Sequence, residues 1–111
     1  MGIFNLFGKR KKLDIGVEYK FNDDENKAVF TCNHVLDEGI PVLHVSHDSD
    51  GDWQFLCGHN NHNVEDSRVI SLLQAVKLDK TLNDLHEMPK GIGADRTEIG
   101  GAWVQVNISN E

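Results

Sequence analysis

Several kinds of segment are missing from the sequence, and each absence narrows the classes of protein it can encode. No stretch approaches the roughly 20 apolar residues that a transmembrane helix needs, so we expect no membrane span. The chain has no glycine-rich phosphate loop, no Gly-x-Ser-x-Gly nucleophile elbow and no His-Glu-x-x-His helix. Its short apolar run at the start precedes the basic residues, the reverse of the order in a secretory signal peptide. We therefore expect a cytoplasmic protein with reduced cysteines, no cofactor and no enzymatic activity.

Positive charge is scarce outside one short run. The chain has 11 Lys and Arg against 18 Asp and Glu, a formal net charge of -7 over 111 residues. Residues 9–12 are all basic, so the rest of the chain is more acidic than the net value suggests. Because nucleic acids are bound mainly through Lys and Arg that neutralise phosphates, we expect no nucleic-acid partner. A basic protein, attracted electrostatically, would fit the acidic body better.

The first residues combine apolar and basic side chains, which is the composition of a short interfacial anchor. One alternative is peripheral attachment to a membrane; the other is a terminus that docks on the core or stays flexible, because one helical turn buries little apolar area. We assign residues 1–27 to a partly flexible N-terminal segment and 28–111 to a single α+β domain. The residues expected at a membrane surface are Ile3, Phe4, Phe7, Lys9, Arg10, Lys11 and Lys12.

The clearest local signal is the pair Asp50-Gly51 between two strand-like runs, which predicts a hairpin over residues 43–57 with a type I′ turn. With this pair at the centre of the turn, Val45 pairs with Leu56 on one face of the ribbon. Trp53 lies on the opposite face, where it is either buried or, if exposed, an anchor for a partner.

The other segments complete an α+β prediction: a small antiparallel sheet with a central hairpin, packed against one main helix and one short helix. The main helix is expected because apolar residues recur at the i, i+3, i+4, i+7 spacing of one helical face. The glycine-rich stretch after Pro89 is expected to be a loop. The expected strands cover 28–32 and 102–108, next to the hairpin, and the helices cover about 66–77 and 82–87.

Cysteine and histidine residues form a Cys-x-His group at residues 32–34 and a Cys-x-His-x-x-His group at 57–62. Zinc takes Cys sulfur and His nitrogen as ligands, so one hypothesis is a metal site. Neither group contains a Cys-x-x-Cys pair, and on a strand residues two apart stand about 7 Å from each other, too far for Cys32 and His34 to act as nucleophile and base. The alternative is two buried cysteines that act as small apolar side chains. The candidate metal ligands are Cys32, His44, Cys57, His59 and His62.

Two long stretches, FTCNHVLDEGIPVLHVSHDSDGDWQFLCG and VEDSRVISLLQAVKLDKTLNDLHEMPKGIGADR, together with a late Trp, resemble a family of small bacterial proteins. These are similar to immunity-protein-like domains found near polymorphic toxins. The resemblance covers about residues 28–104, and its most specific parts are 50–55 and 82–96. It implies a compact α+β domain that in some relatives neutralises a toxin by binding it.

Our leading expectation is therefore a non-enzymatic protein-binding domain, an immunity-like protein whose acidic surface meets a basic effector. The alternative for the acidic residues is that they only solvate a turn. The expected contact residues are Asp48, Asp50, Asp52, Trp53, Glu65 and Asp66.

Overall fold

The computed structural model describes residues 18–58 and 64–108 and shows an α+β fold, as the sequence predicts. Within these residues, six strands form one sheet in the order β4-β1-β3-β2-β5-β6. The strands are β1 (Ala28–Cys32), β2 (His44–His47), β3 (Trp53–Leu56), β4 (Ser67–Ser71), β5 (Ile92–Asp95) and β6 (Val104–Asn107). The helices are α1 (Asn33–Glu38) and α2 (Leu72–Leu78), with 3-10 helices at Val64–Asp66 and Lys80–Leu85. In this part of the chain no helix has both the length and the hydropathy to span a membrane.

The sheet is mixed, which corrects the expected antiparallel sheet. β1 pairs with β3 in parallel, with Phe30 opposite Gln54, whereas the other four pairings are antiparallel. Parallel neighbours end at the same edge of a sheet, so the residues that follow β1 and β3 are brought together. This single pairing positions the candidate site described below.

The hairpin is confirmed, but its turn is longer than predicted. The N–H of Asp48 donates to the C=O of Asp52 (2.7 Å), and the N–H of Gly51 donates to the C=O of Asp48 (2.9 Å). Three residues therefore lie between the closing pair, and the last of them, Gly51, has φ +96°. This is the three-residue loop in which a type I turn is followed by a glycine in the left-handed region.

The longer turn shifts the predicted register by one residue. Val45 lies opposite Phe55, and Leu56 lies opposite His44. Because side chains alternate along a strand, a shift of one exchanges the two faces. Val45 therefore joins Trp53 and Phe55 in the core, and Leu56 is on the other face.

Two further elements differ from the prediction. The first half of the expected main helix is strand β4, and α2 begins only at Leu72, where the hydroxyl of Ser71 accepts from the N–H of Gln74 (3.0 Å) as an N-cap. The glycine-rich segment contains β5, which separates β6 from the hairpin. The expected short helix is the 3-10 helix Lys80–Leu85, capped by the carboxylate of Asp79.

One apolar core joins the sheet to the helices. Trp53 and Phe55 are its largest fully buried side chains, followed by Leu72 of α2 and Leu82 of the second 3-10 helix. Phe21, which precedes β1, is buried and its ring meets that of Trp53 edge-on at 5.1 Å. Burying an aromatic side chain of this size stabilises a small domain by several kcal/mol, on the order of 3–5 when measured by truncation to Ala.

Candidate metal site

The two cysteines lie at the same end of the sheet because β1 and β3 run in parallel. Cys32 is the last residue of β1, and Cys57 follows the last residue of β3. The register that places Phe30 opposite Gln54 brings Cys32 level with Leu56, one residue before Cys57. An antiparallel pairing of the same strands would have placed the two cysteines at opposite ends.

His34 reaches the same place because the strand ends abruptly. Cys32 keeps an extended backbone (φ -128°, ψ 164°), and α1 begins at the next residue. The helix stops after six residues at Gly39, whose φ of 71° is the left-handed conformation common at helix C-termini. His34 thus lies in the first turn of a helix, and its Nδ1 is 3.9 Å from the Sγ of Cys57.

The three side chains form a compact cluster of metal-binding atoms. The sulfurs of Cys32 and Cys57 and a ring nitrogen of His34 all lie within 4.8 Å of one another. In a tetrahedral zinc site, bond lengths of about 2.3 Å to sulfur and 2.0 Å to nitrogen put ligand atoms about 3.6–3.8 Å apart. The 3.9 Å between the Sγ of Cys57 and the Nδ1 of His34 is close to the separation in a zinc site, and the 4.8 Å limit on the whole cluster exceeds that separation by about 1 Å.

The composition of the cluster favours zinc over harder cations. Sulfur and imidazole nitrogen suit zinc, whereas calcium and magnesium take oxygen ligands. The chain contains only two cysteines, and both belong to this cluster. Both are buried, with 2% exposure for Cys32 and 0% for Cys57, and His34 is half-buried. Among the described residues the two cysteines are not joined in a disulfide.

The structure changes the ligand set expected from the sequence. His44 is not in the cluster: it lies opposite Asp95 in the sheet, and its Nδ1 pairs with that carboxylate. His34, which belongs to the Cys-x-His group of the sequence but was not among the candidate ligands, is the histidine that joins the cysteines. His59 and His62 lie outside the described residues, so their part in the prediction is untested.

Trp53 is not a surface anchor, which corrects its assignment as a contact residue. Its side chain is 2% exposed, and the indole Nε1 donates to the carboxylate of Asp23 (3.0 Å). The imidazole of His47 stacks on the indole with ring centroids 3.8 Å apart. Trp53 therefore belongs to the core at the end of the sheet opposite to the cysteines.

The acidic contact residues expected from the sequence fall into two separate groups. Asp48, Asp50 and Asp52 are in the hairpin turn, where β3 begins; Glu65 and Asp66 precede β4, whose Ser67 lies opposite Cys32 at the other end of the sheet.

Within the turn the carboxylates have local partners. Asp48 accepts from the side-chain amide of Gln54 (2.8 Å), and Asp50 accepts from the N–H of Asp52 (3.1 Å). These hydrogen bonds show that at least two of the acidic residues stabilise the turn itself.

The chain matches no family model, no curated protein and no solved structure. The resemblance to immunity-like domains therefore stays a prediction, and the function proposed below is inferred from the site itself.

Proposed function

We propose that this protein binds a zinc ion through Cys32, His34 and Cys57. The observation that carries the proposal is the convergence of three zinc-type ligand atoms within 4.8 Å from two different parts of the chain. Both thiols would be deprotonated on binding, and the positive ion would offset the cost of holding two thiolates in a buried position.

The burial of the sulfurs favours a structural role for the ion. A catalytic zinc keeps one coordination position open to substrate, whereas a structural zinc is closed by four protein ligands. Cys32 and Cys57 have almost no exposed surface, so a substrate would have little access to an ion held between them. Bound there, zinc would tie the ends of β1 and β3 to the start of α1.

His59 and His62, which the sequence predicts as ligands, lie outside the described residues, so experiment must decide whether a histidine that follows Cys57 is the fourth ligand. His59 and His62 are two and five residues beyond Cys57 in the sequence. Substitution of each histidine tests whether it completes the site.

The zinc content of purified protein tests the proposal directly. The chain is prepared without a histidine tag, and zinc is measured by elemental analysis in the parent and in Cys32→Ser, His34→Ala and Cys57→Ser. We expect one zinc per chain in the parent and loss of stoichiometric zinc in each variant. His44→Ala is the matched control, because it removes an imidazole from the same sheet outside the cluster, and it should keep its zinc.

Cobalt substitution adds a readout of the ligands themselves. Cobalt(II) bound to thiolates gives a charge-transfer band in the near ultraviolet, and this band should weaken in each Cys→Ser variant but not in His44→Ala. His59→Ala and His62→Ala, compared with each other, identify the fourth ligand. Only trace zinc in the parent, with no rise in melting temperature on adding zinc, would exclude the proposal.

Binding to a basic protein stays a second prediction, supported by the acidic body and by the resemblance. Trp53 no longer belongs to it, and the turn residues Asp48, Asp50 and Asp52 are the part of the predicted surface to test first. Capture of a partner should weaken as salt rises, because opposite charges are screened. Membrane contact through residues 1–12 lies outside the described residues and is tested by flotation with anionic vesicles.

A further inference from the structure

The two cysteines of the cluster lie close enough to react with each other. Their sulfurs are within 4.8 Å, and among the described residues they are not joined in a disulfide. The strand register places Cys32 level with Leu56, one residue before Cys57. With strands about 4.8 Å apart and a rise of about 3.3 Å per residue, the Cα atoms of the two cysteines are about 6 Å apart, which is within the range of a disulfide. Bond formation therefore needs a rearrangement of two side chains and not of the sheet.

Cys57 also borders a cavity that opens to solvent. The cavity has a volume of about 480 Å³, and its lining includes Cys57, His44 and Asp95. The side chain of Asp95 is 55% exposed, so the cavity is open at that residue. Cys57 itself has 0% exposure, so only a small molecule that enters the cavity can approach its sulfur. Hydrogen peroxide, which is little larger than water, has the required size.

We propose that Cys57 and Cys32 form a disulfide when hydrogen peroxide enters this cavity, and that the disulfide releases the zinc ion. The release rests on the proposed zinc site, whereas the disulfide rests only on the positions of the two cysteines and the cavity. The cysteine pair is thus a site of reversible modification whose co-reactant is a small peroxide.

The reaction has two steps, and it transfers two electrons from sulfur to the peroxide. The thiolate of Cys57 attacks one oxygen of the peroxide, the O–O bond breaks and hydroxide leaves, so that Cys57 becomes a sulfenic acid. The thiolate of Cys32 then attacks the sulfur of Cys57, the S–O bond breaks and a second hydroxide leaves. Two thiolates are thereby oxidised to one disulfide, and one peroxide is reduced, with two protons from the solvent, to two waters.

Disulfide formation removes the negative charge that binds the ion. Zinc is held by thiolates, and a disulfide sulfur carries no charge. Of the three ligands in the cluster only the imidazole of His34 would remain. The new bond would join the ends of β1 and β3 directly, so the oxidised chain should keep the link between these strands without the ion.

Peptide mass identifies the disulfide. No Lys or Arg lies between Ala28 and Ser67, so trypsin releases both cysteines in one peptide, residues 28–68. The zinc-loaded chain is treated with peroxide, and the remaining thiols are blocked with iodoacetamide before digestion. We expect this peptide to lack two hydrogen atoms relative to the reduced peptide and to carry no blocking group. Further cleavage after Glu38 should give two peptides that separate only on reduction.

Zinc release is measured in the same reaction with a chromogenic chelator. We expect one zinc released for each disulfide formed, and one zinc bound per chain again after reduction with dithiothreitol and addition of zinc. Cys32→Ser is the matched control for the disulfide. It has no second thiol, so its peptide 28–68 should gain oxygen and lose no hydrogen.

Widening the cavity tests the route of the oxidant. His44→Ala removes an imidazole from the lining but no cysteine, so the disulfide should form several-fold faster than in the parent. Val104→Ala is the matched control, because it shortens an exposed side chain that does not line this cavity, and it should react at the rate of the parent.

Sulfinic or sulfonic acids in place of the disulfide, a disulfide that leaves zinc bound, or equal rates in His44→Ala and the parent would overturn the proposal. A disulfide between two copies, seen as a doubled mass before reduction, would contradict it too. A parent that contains no zinc would instead exclude the zinc site and, with it, the release. The disulfide would still be read from the peptide mass, so the two failures are distinguishable.

Discussion

Strand β3 has two ends that differ in how the protein stabilises them. At its start, the indole of Trp53 donates to Asp23 and stacks on His47, whose Nδ1 donates to the C=O of Met88 (2.7 Å). Just after its end, Cys57 contributes a sulfur to the cluster that zinc would bind. The first end is held by a large apolar surface and by hydrogen bonds between groups of the chain.

This difference shows that burial alone does not distinguish a structural residue from a site residue. Trp53 and Cys57 are both buried, with 2% and 0% exposure. The burial of Trp53 is explained by the packing of its large ring, whose N–H has a hydrogen-bond partner within the chain. Two small thiols beside an imidazole bring little apolar area but three zinc-type ligand atoms, so their contribution to stability should depend on an ion.

The largest expected effect comes from removing the indole at the first end. Trp53→Ala should lower the free energy of unfolding by about 4 kcal/mol, because it leaves a cavity and an unpaired Asp23 carboxylate. Urea unfolding followed by circular dichroism measures the change. Val104→Ala, at a 63% exposed position, is the control and should change stability by less than about 0.5 kcal/mol. A Trp53→Ala variant as stable as this control would show that the first end is not part of the core.

Zinc removal should have the next largest effect and should act only through the second end. With free zinc at about 100 times its dissociation constant, binding stabilises the folded state by about 2.7 kcal/mol, and a chelator removes that amount. Cys57→Ser should unfold at the same urea concentration with and without chelator. If Trp53→Ala stays folded, zinc should raise its free energy of unfolding by the same amount as that of the parent. Equal sensitivity of Cys57→Ser and the parent to chelator would show that the ion binds elsewhere.

The sequence was sufficient for the fold class and for the hairpin, because both follow from local patterns. Asp50-Gly51 marks the turn correctly, yet the same residues fit either a two-residue or a three-residue loop. The choice between them decides whether Val45 shares a face with Leu56 or with Trp53 and Phe55, and only packing of the whole sheet makes that choice. The helical spacing of Val69 and Leu72 was misleading for the same reason: pairing with β1 keeps Val69 in a strand.

The candidate site could be predicted in part, and the missing step was topological. Its two cysteines were among the candidate ligands, and the candidate histidines were His44, His59 and His62, without His34. His34 was considered only as a base for Cys32, with the two residues treated as positions of one strand, where residues two apart stand about 7 Å from each other. In the structure Gly39 provides the stop signal of a helix that begins at Asn33, and this short helix redirects the imidazole. The parallel pairing of β1 with β3 has no local sequence signal, because it depends on the order in which strands join the sheet.

Lowering the pH should affect the two ends of β3 differently. Zinc binding requires that the thiols of Cys32 and Cys57 lose their protons and that His34 is neutral, so the apparent zinc affinity should fall as pH falls. The first end has no such requirement. Competition with a chromogenic chelator at several pH values measures the affinity, and His44→Ala should follow the parent at every pH. An affinity that does not change with pH would contradict binding through thiolates.

The smallest expected effect is that of alkali on the first end, through Tyr19. Tyr19 lies beside Phe21, with ring centroids 6.1 Å apart, and its hydroxyl donates to the C=O of Asp23 (2.6 Å). Burial, with the nearby carboxylates of Glu25, Asp23 and Asp24, raises the pKa of the Tyr19 phenol above its usual range. The folded chain thus holds this proton more tightly than the unfolded chain, in which the phenol ionises near pH 10.

The contribution of Tyr19 to stability should therefore be complete below about pH 10 and decline as the pH rises above that value. Tyr19→Phe removes the ionisable group and keeps the ring. The difference in unfolding free energy between the two proteins should therefore be constant at neutral pH. In alkali this difference should shift in favour of Tyr19→Phe. Both proteins are compared in the Cys57→Ser background, which removes the contribution of zinc to stability. Lysine ionisation affects both proteins equally, so it does not change the difference between them. Urea midpoints that stay parallel across the alkaline range would show that Tyr19 ionises as readily in the folded chain as in the unfolded one.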